Sequence, residues 1–244
     1  MLVFITTLLL SAPQLIPSVE GYLASARTKS DVSYLFETYL ISPLNLLKVL
    51  TPDLQGSPGS YTYLGRGFYH ETVLFIGTVP FLVALFALKN WRNRFVLIFG
   101  GTLLGTLLLT LKSPLTEFLY NQPIPLLSTF VPSRILVLGT FSLAVLSALG
   151  ADMLFKVGNK YKICVTLLFL LIQGAVFAIG FFAVSGENIV PVGILNALNI
   201  KGEYYVRNST ALFRNSALSL LLGLGFLFYL YLMKYKRAFY LWLS

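Results

Sequence analysis

Six apolar runs, none of them containing a Lys or Arg, constrain this chain more than any other feature: residues 2–19, 72–88, 95–111, 135–155, 163–184 and 216–233. Each is near the roughly 20 residues that a helix needs to cross a bilayer. In lipid every backbone N–H and C=O must be satisfied internally, so only helices and closed barrels span. The runs are continuously apolar rather than alternating, which selects helices. The expectation is an all-α integral membrane protein of about six transmembrane helices, forming one transmembrane domain over residues 1–244. Composition agrees, with 57% hydrophobic and only 11% charged residues. A soluble domain carries about 25% charged residues, and a disordered one is poor in apolar side chains.

The formal charge of +9 reads as topology rather than as affinity for nucleic acid. Lys89, Arg92 and Arg94 fall in the 89–94 loop, Lys156, Lys160 and Lys162 in the 156–162 loop, and Lys234, Lys236 and Arg237 after the sixth run. All three clusters lie on one side of a six-span alternation, and basic short loops face the cytoplasm. The expectation is a multi-pass plasma-membrane protein with its N-terminus and basic loops cytoplasmic. The opposite side carries nearly equal numbers of acids and bases. The partner implied is the lipid bilayer, with no nucleic acid.

Met1 opens into an apolar run without a basic flank, unlike a signal peptide. The stretch 238–244, AFYLWLS, reads as the start of a seventh span. Both features suggest a fragment of a longer membrane protein.

The long segments 20–71, 112–134 and 185–215 fall on the outer side. Within them, 31–50 and 114–132 read as interfacial. Asp31 is a candidate N-cap for a short helix through Leu40, and Ser42-Pro43 reads as an N-cap followed by Pro at the first helical position. The apolar stretch from Tyr34 to Leu50 is too short and interrupted to span, and suits amphipathic helices in the interface. Pro114, Pro123, Pro125 and Pro132 forbid a regular span in the second segment. Gly101 and Gly105 form a G-x-x-x-G expected to pack inside the bundle. Cys164 is expected to be a buried, inert thiol. Asn208-Ser209-Thr210 fits a glycosylation triplet, a pattern common by chance.

No zinc spacing, phosphate loop or nucleophile elbow is present, and one histidine, His70, cannot make a multi-histidine metal site. The notable residues are polar groups at the outer ends of the apolar runs: Glu20, Arg27, Tyr69, His70, Glu71 and Arg134. Ionisable groups near membrane depth usually face a cavity or a partner. The planar guanidinium of Arg134 suits a phosphate, or it snorkels to lipid headgroups. Glu20 or Glu71 can hold a sugar hydroxyl or accept its proton, while Glu20 can equally pair with Arg27. Tyr61, Tyr63, Phe68 and Tyr69 can stack on a sugar or form an interfacial belt. His70 reads most simply as a polar loop residue. An acid at the mouth of a span needs a reason, which puts Glu71 first.

Four stretches together resemble the bacterial YfhO-like membrane proteins, which are similar to glycosyltransferases of the GT-C fold. They are APQLIPSVEGYLASAR (12–27), SPLNLLKVLTPDLQGSP (42–58), FYHETVLFIGTVPFLVALFAL (68–88) and FVPSRILVLGTFSLAVLSALGADML (130–154). The resemblance covers residues 10–155, and the remainder only by hydropathy. It implies a partial GT-C-like bundle that transfers a sugar from a polyprenyl-phosphate donor to a glycan or teichoic-acid-like acceptor on the outer face. It also implies that the catalytic acid, placed in the first outer loop of such enzymes, lies outside this chain. Arg134 or Arg27 would then stabilise the leaving phosphate, and Glu20 or Glu71 would position the sugar or help hold a metal. Mg²⁺ or Mn²⁺ would suit that chemistry in a full-length parent, although no complete metal site is legible in this chain. The competing readings are a transporter or lipid flippase and a non-catalytic assembly subunit.

Overall fold

A computed structural model describes residues 2–24, 39–54, 56–63, 68–122, 131–186, 189–198, 200–202 and 205–243, and the side chains of most of them. The described residues are helical, with no strand beyond two isolated bridges. The helices are α1 (Leu2–Ala24), α2 (Thr78–Ala87), α3 (Arg94–Thr110), α4 (Pro114–Tyr120), α5 (Leu136–Met153), α6 (Asn159–Ser185), α7 (Val192–Ala197) and α8 (Tyr205–Leu243). Three stretches are long and apolar enough to cross a membrane: Pro132–Met153, Asn159–Ser185 and Tyr205–Met233. The chain is thus an all-helical membrane protein.

The expected second span, 72–88, contains only a short helix. Residues 73–77 form no regular element, and α2 starts after Gly77, whose φ of +105° an L side chain rarely adopts. With the 3-10 turn Leu88–Asn90 the helical part runs Thr78–Asn90, or about 20 Å, short of a hydrocarbon core of about 30 Å. What it lacks in length it makes up in burial. Leu82, Phe86 and Ala87 are fully enclosed, because α2 lies at the centre, against α5 on one side and α6 and α8 on the other.

Small residues set the closest crossings. Gly150 of α5 sits on the α2 backbone, where a side-chain carbon would lie 1.9 Å from the Val83 carbonyl oxygen. Gly180 of α6 meets Phe213 of α8, where such a carbon would lie 2.9 Å from the Phe213 Cα. Without a hydrophobic drive between helices in lipid, such backbone contacts carry association. The G-x-x-x-G of α3 does not take part: Gly101 and Gly105 face open space. Cys164, expected inside, is exposed. Both errors share a cause, since a run that is apolar all round does not disclose which face meets protein and which meets lipid.

The stretch 238–244 does not begin a new element: α8 continues as one helix from the sixth run to Leu243. The two basic loops before it share one end of the bundle, where the Lys89 ammonium lies 5.5 Å from the Tyr161 ring centroid. Lys162, also there, donates to the Leu154 carbonyl at 2.9 Å and so satisfies an orphan acceptor at the C-terminus of α5.

Residues 41–54 depart most from expectation. Asp31 and its helix lie outside the described residues. The Ser42 cap is present, with Ser42 Oγ accepting from the Leu44 amide at 3.4 Å and Pro43 at the first position. The helix it caps, Pro43–Val49, is a 3-10 helix whose last two residues, Lys48 and Val49, are buried, while Pro43 is exposed and 44–47 are half-buried. The Ile41 amide donates to the Thr110 carbonyl at 2.9 Å, tying the segment to the end of α3. Val49 then packs with Leu74, Leu136 and Leu143, Leu50 with Leu82, Phe86 and Phe226, and Leu54 with Val176 and Leu212. Midway along α6, Gln173 Nε2 donates to Thr51 Oγ1 (2.9 Å) and to the Ser216 carbonyl (3.2 Å). The segment therefore enters the bundle and returns. Irregular backbone is tolerated at such depth only where protein covers it. In the second expected interfacial segment, α4 carries a capping box at Ser113 and Thr116, and residues 123–130 lie outside the described residues.

Candidate functional site

Two short turns face each other at the end of the bundle opposite the basic loops. Tyr69–Glu71 forms one 3-10 turn, closed by the Thr72 amide donating to the Tyr69 carbonyl at 3.0 Å. Pro132–Ile135 forms the other, leading into α5. Arg134 Nε donates to Glu71 Oε1 at 2.7 Å, and Ser133 Oγ donates to Glu71 Oε2 at 3.4 Å. The pair is asymmetric: the Glu71 side chain is 5% exposed and that of Arg134 is 52% exposed. A buried carboxylate thus holds one edge of a guanidinium whose other nitrogens find no partner among the described residues. That edge opens on a cleft of about 450 Å³ lined also by His70, Val73, Val137 and Thr140. A planar fork fixed by a carboxylate behind it is preorganised for a phosphate or carboxylate in front. His70 stacks on Phe68 at 5.6 Å on the rim, both exposed.

Behind Glu71 lies a second polar cluster that sequence reasoning missed. Lys48, almost completely buried, donates from Nζ to Thr72 Oγ1 at 3.0 Å. Its ammonium lies 5.6 Å from the Tyr63 centroid and 6.0 Å from that of Tyr69. Those rings meet edge to face at 5.4 Å. The two rings flank a cation. The Tyr69 hydroxyl donates to Asp53 Oδ1. Burial and then this bond push the Tyr69 phenol well above its ordinary pKa. Burial lowers the Lys48 ammonium to about 8, against the opposing pull of Asp53.

This depressed pKa makes stability depend on pH. The unfolded chain keeps Lys48 protonated up to about pH 10.4, whereas the folded protein releases the proton near 8. Between these values the unfolded state binds more protons, so stability rises with pH. Below pH 8 both states are charged and folding carries the full cost of burying the ammonium. Lys48→Met is therefore expected to raise the thermal midpoint at pH 7, with the gain shrinking from about pH 8 to about pH 10. Thermal melts of both proteins in detergent across that range check it. A wild-type midpoint flat over the window would contradict the buried ammonium.

Of the six residues singled out from the sequence, the structure joins Glu71 and Arg134 directly, with His70 on the same cleft. Tyr69 turns away toward Asp53. Glu20 is exposed on α1, with no hydrogen bond or ion pair to the cluster among the described residues. Arg27 lies outside the described residues. One signal for Lys48 was available: it is a lone cation within the apolar LNLLKVL. Ser133 and Asp53 carried none. Asn208, the glycosylation candidate, is 2% exposed and donates to the Thr62 carbonyl, so its amide is not available for modification. The Mg²⁺ or Mn²⁺ implied for a parent enzyme does not fit here. Glu71 is engaged by Arg134 and Ser133, Asp53 by Tyr69, and no three acids or other metal ligands group together among the described residues. Compared with known proteins, this chain matches no family model, no curated protein and no solved structure.

Proposed function

We propose that this chain is part of a polytopic membrane glycosyltransferase-like protein, acting at the outer face of the plasma membrane on a polyprenyl-phosphate-linked sugar. The observation that carries the reading is the half-exposed Arg134 guanidinium, held by the buried Glu71 carboxylate over a cleft at the end away from the basic loops. The placement of the basic loops in the cytoplasm belongs to the same proposal. It would put the cleft at the outer surface, where a lipid-linked phosphate lies. In the reaction, an acceptor hydroxyl oxygen attacks the anomeric carbon and the bond from that carbon to the phosphate oxygen breaks. The charge left on the phosphate falls to Arg134. The acceptor proton goes to a carboxylate outside this chain. The acceptor would be a cell-envelope glycan or teichoic-acid-like polymer.

Titration of the chain in nanodiscs with a polyprenyl-phosphate sugar tests the reading. The expected result is saturable binding, weakened about tenfold or more in Arg134→Gln. Equal binding by the two proteins would end it. A second reading, a transporter or flippase, has one observation in its favour. Residues 50–54 and 73–77 are non-helical, partly buried backbone against the bundle, as at transporter binding sites. Substrate flux through vesicles containing the purified chain would replace the first reading by the second.

A further inference from the structure

A second cleft, of about 530 Å³, lies on the flank of α8 and shares no lining residue with the Glu71–Arg134 cleft. Its residues include Asp53, Ser57, Ser60, Arg207, Thr210 and Arg214. Arg207 and Arg214 are seven residues apart, two helical turns and about 10 Å along one face, with Thr210 between them. Among the described residues neither guanidinium has a carboxylate within ion-pair distance, and Arg214 Nε donates only to the adjacent Asn215 Oδ1 at 3.4 Å. The facing wall is the turn around Pro58–Ser60. There Ser60 Oγ lies 3.0 Å from Ser57 Oγ and 2.7 Å from Thr62 Oγ1.

The two walls are fixed to each other. Asn215 Nδ2 donates to the Pro52 carbonyl at 3.1 Å, and buried Asn208 donates to the Thr62 carbonyl. Gly56, with φ +80°, lets the turn close so tightly that a side-chain carbon there would lie 2.4 Å from the Thr62 carbonyl oxygen. Tyr61, which lines the cleft, stands in the left-handed region (φ 56°) and is 86% exposed. This is a preformed cleft with two guanidiniums on one wall, hydroxyls on the other and one carboxylate at its edge. The guanidiniums select an anion, and their planar forks suit phosphate oxygens. Asp53, whose Oδ1 already accepts from Tyr69, repels a bare polyanion but accepts from a hydroxyl, so the cleft suits a phosphate ester that also carries hydroxyl groups.

We propose that the Arg207–Arg214 cleft binds a hydroxylated phosphate ester, at a site separate from Arg134. Such a group comes either from a soluble ester or from a lipid headgroup, and two arms distinguish them. In the first, the full chain in phosphatidylcholine nanodiscs is titrated calorimetrically with glycerol 3-phosphate. In the second, mixed phosphatidylcholine–phosphatidylglycerol nanodiscs are used and the enrichment of phosphatidylglycerol around the protein is measured. Binding in either arm is expected to weaken about tenfold per guanidinium removed in Arg207→Gln and Arg214→Gln, and to survive in Arg134→Gln. Thr210→Glu sets a carboxylate between the two arginines on an exposed helical face. It is expected to abolish binding without altering the elution profile, which keeps the test decisive if either glutamine variant misfolds. A response in the first arm assigns a soluble ester, and one in the second a headgroup. Wild type indistinguishable from Thr210→Glu in both arms would overturn the site. Loss in Arg134→Gln alone would move the phosphate to the other cleft and support the proposed function instead.

Discussion

Arg134→Ala is expected to lower stability by about 2–3 kcal/mol at neutral pH, and Glu71→Gln in the same chain is expected to restore most of that loss. The reason is the unequal burial of the pair. Glu71 keeps only 5% of its side chain in contact with the surroundings, so removing Arg134 leaves a carboxylate with the Ser133 hydroxyl as its remaining partner. An unpaired buried charge is the costly half of such a pair. Arg134, at 52% exposed, is served by water when Glu71 is removed, so Glu71→Gln alone is expected to cost under about 1 kcal/mol. Thermal melts of the two single variants and the double in one detergent close the cycle. If the double variant melts no higher than Arg134→Ala, the carboxylate is not the group that suffers.

The second large effect lies in the backbone. Gly150→Ala is expected to cost about 3 kcal/mol or to prevent assembly. Its new carbon would sit 1.9 Å from the Val83 carbonyl oxygen and 2.7 Å from the carbonyl carbon, atoms that cannot swing aside as a side chain does. Gly101→Ala and Gly105→Ala meet nothing within 4 Å, so each is expected to stay within about 0.5 kcal/mol of wild type. Temperature-dependent size-exclusion profiles of the three variants separate these cases. A Gly150→Ala protein that keeps its wild-type midpoint would refute the close crossing of α2 and α5.

The contrast between these glycines marks what the sequence disclosed and what it did not. Hydropathy located α3, α5, α6 and the body of α8 within a few residues, because lipid demands long uninterrupted apolar helices. It placed a helix over all of 72–88 where one runs only from Thr78, since an irregular stretch of apolar residues and a helix of apolar residues look alike in hydropathy. It did not disclose the 3-10 form of 43–49 or the burial of Lys48 and Val49, because the residues that cover them come later in the chain. At the site, Glu71 and Arg134 were legible because a charge beside an apolar run demands an explanation. Their partnership was not, as the two residues are far apart in the chain and only packing of α5 against α2 brings their turns together. Lys48 went unnoticed because its environment is supplied by Tyr63, Tyr69 and Thr72 across a tertiary contact.

The clamp between Thr51, Gln173 and Ser216 also dictates an order of events during biosynthesis. Residues 41–54 leave the ribosome before every helix that will cover them: α2, α5, α6 and α8 all come later in the chain. Until Gln173 has been made, the buried Thr51 hydroxyl lacks the side-chain amide that holds it in the finished bundle, and that amide is itself anchored on the Ser216 carbonyl. The contacts of this segment with the bundle are therefore completed only once α6 and α8 have been made, so an early-made part of the core is among the last to be finished.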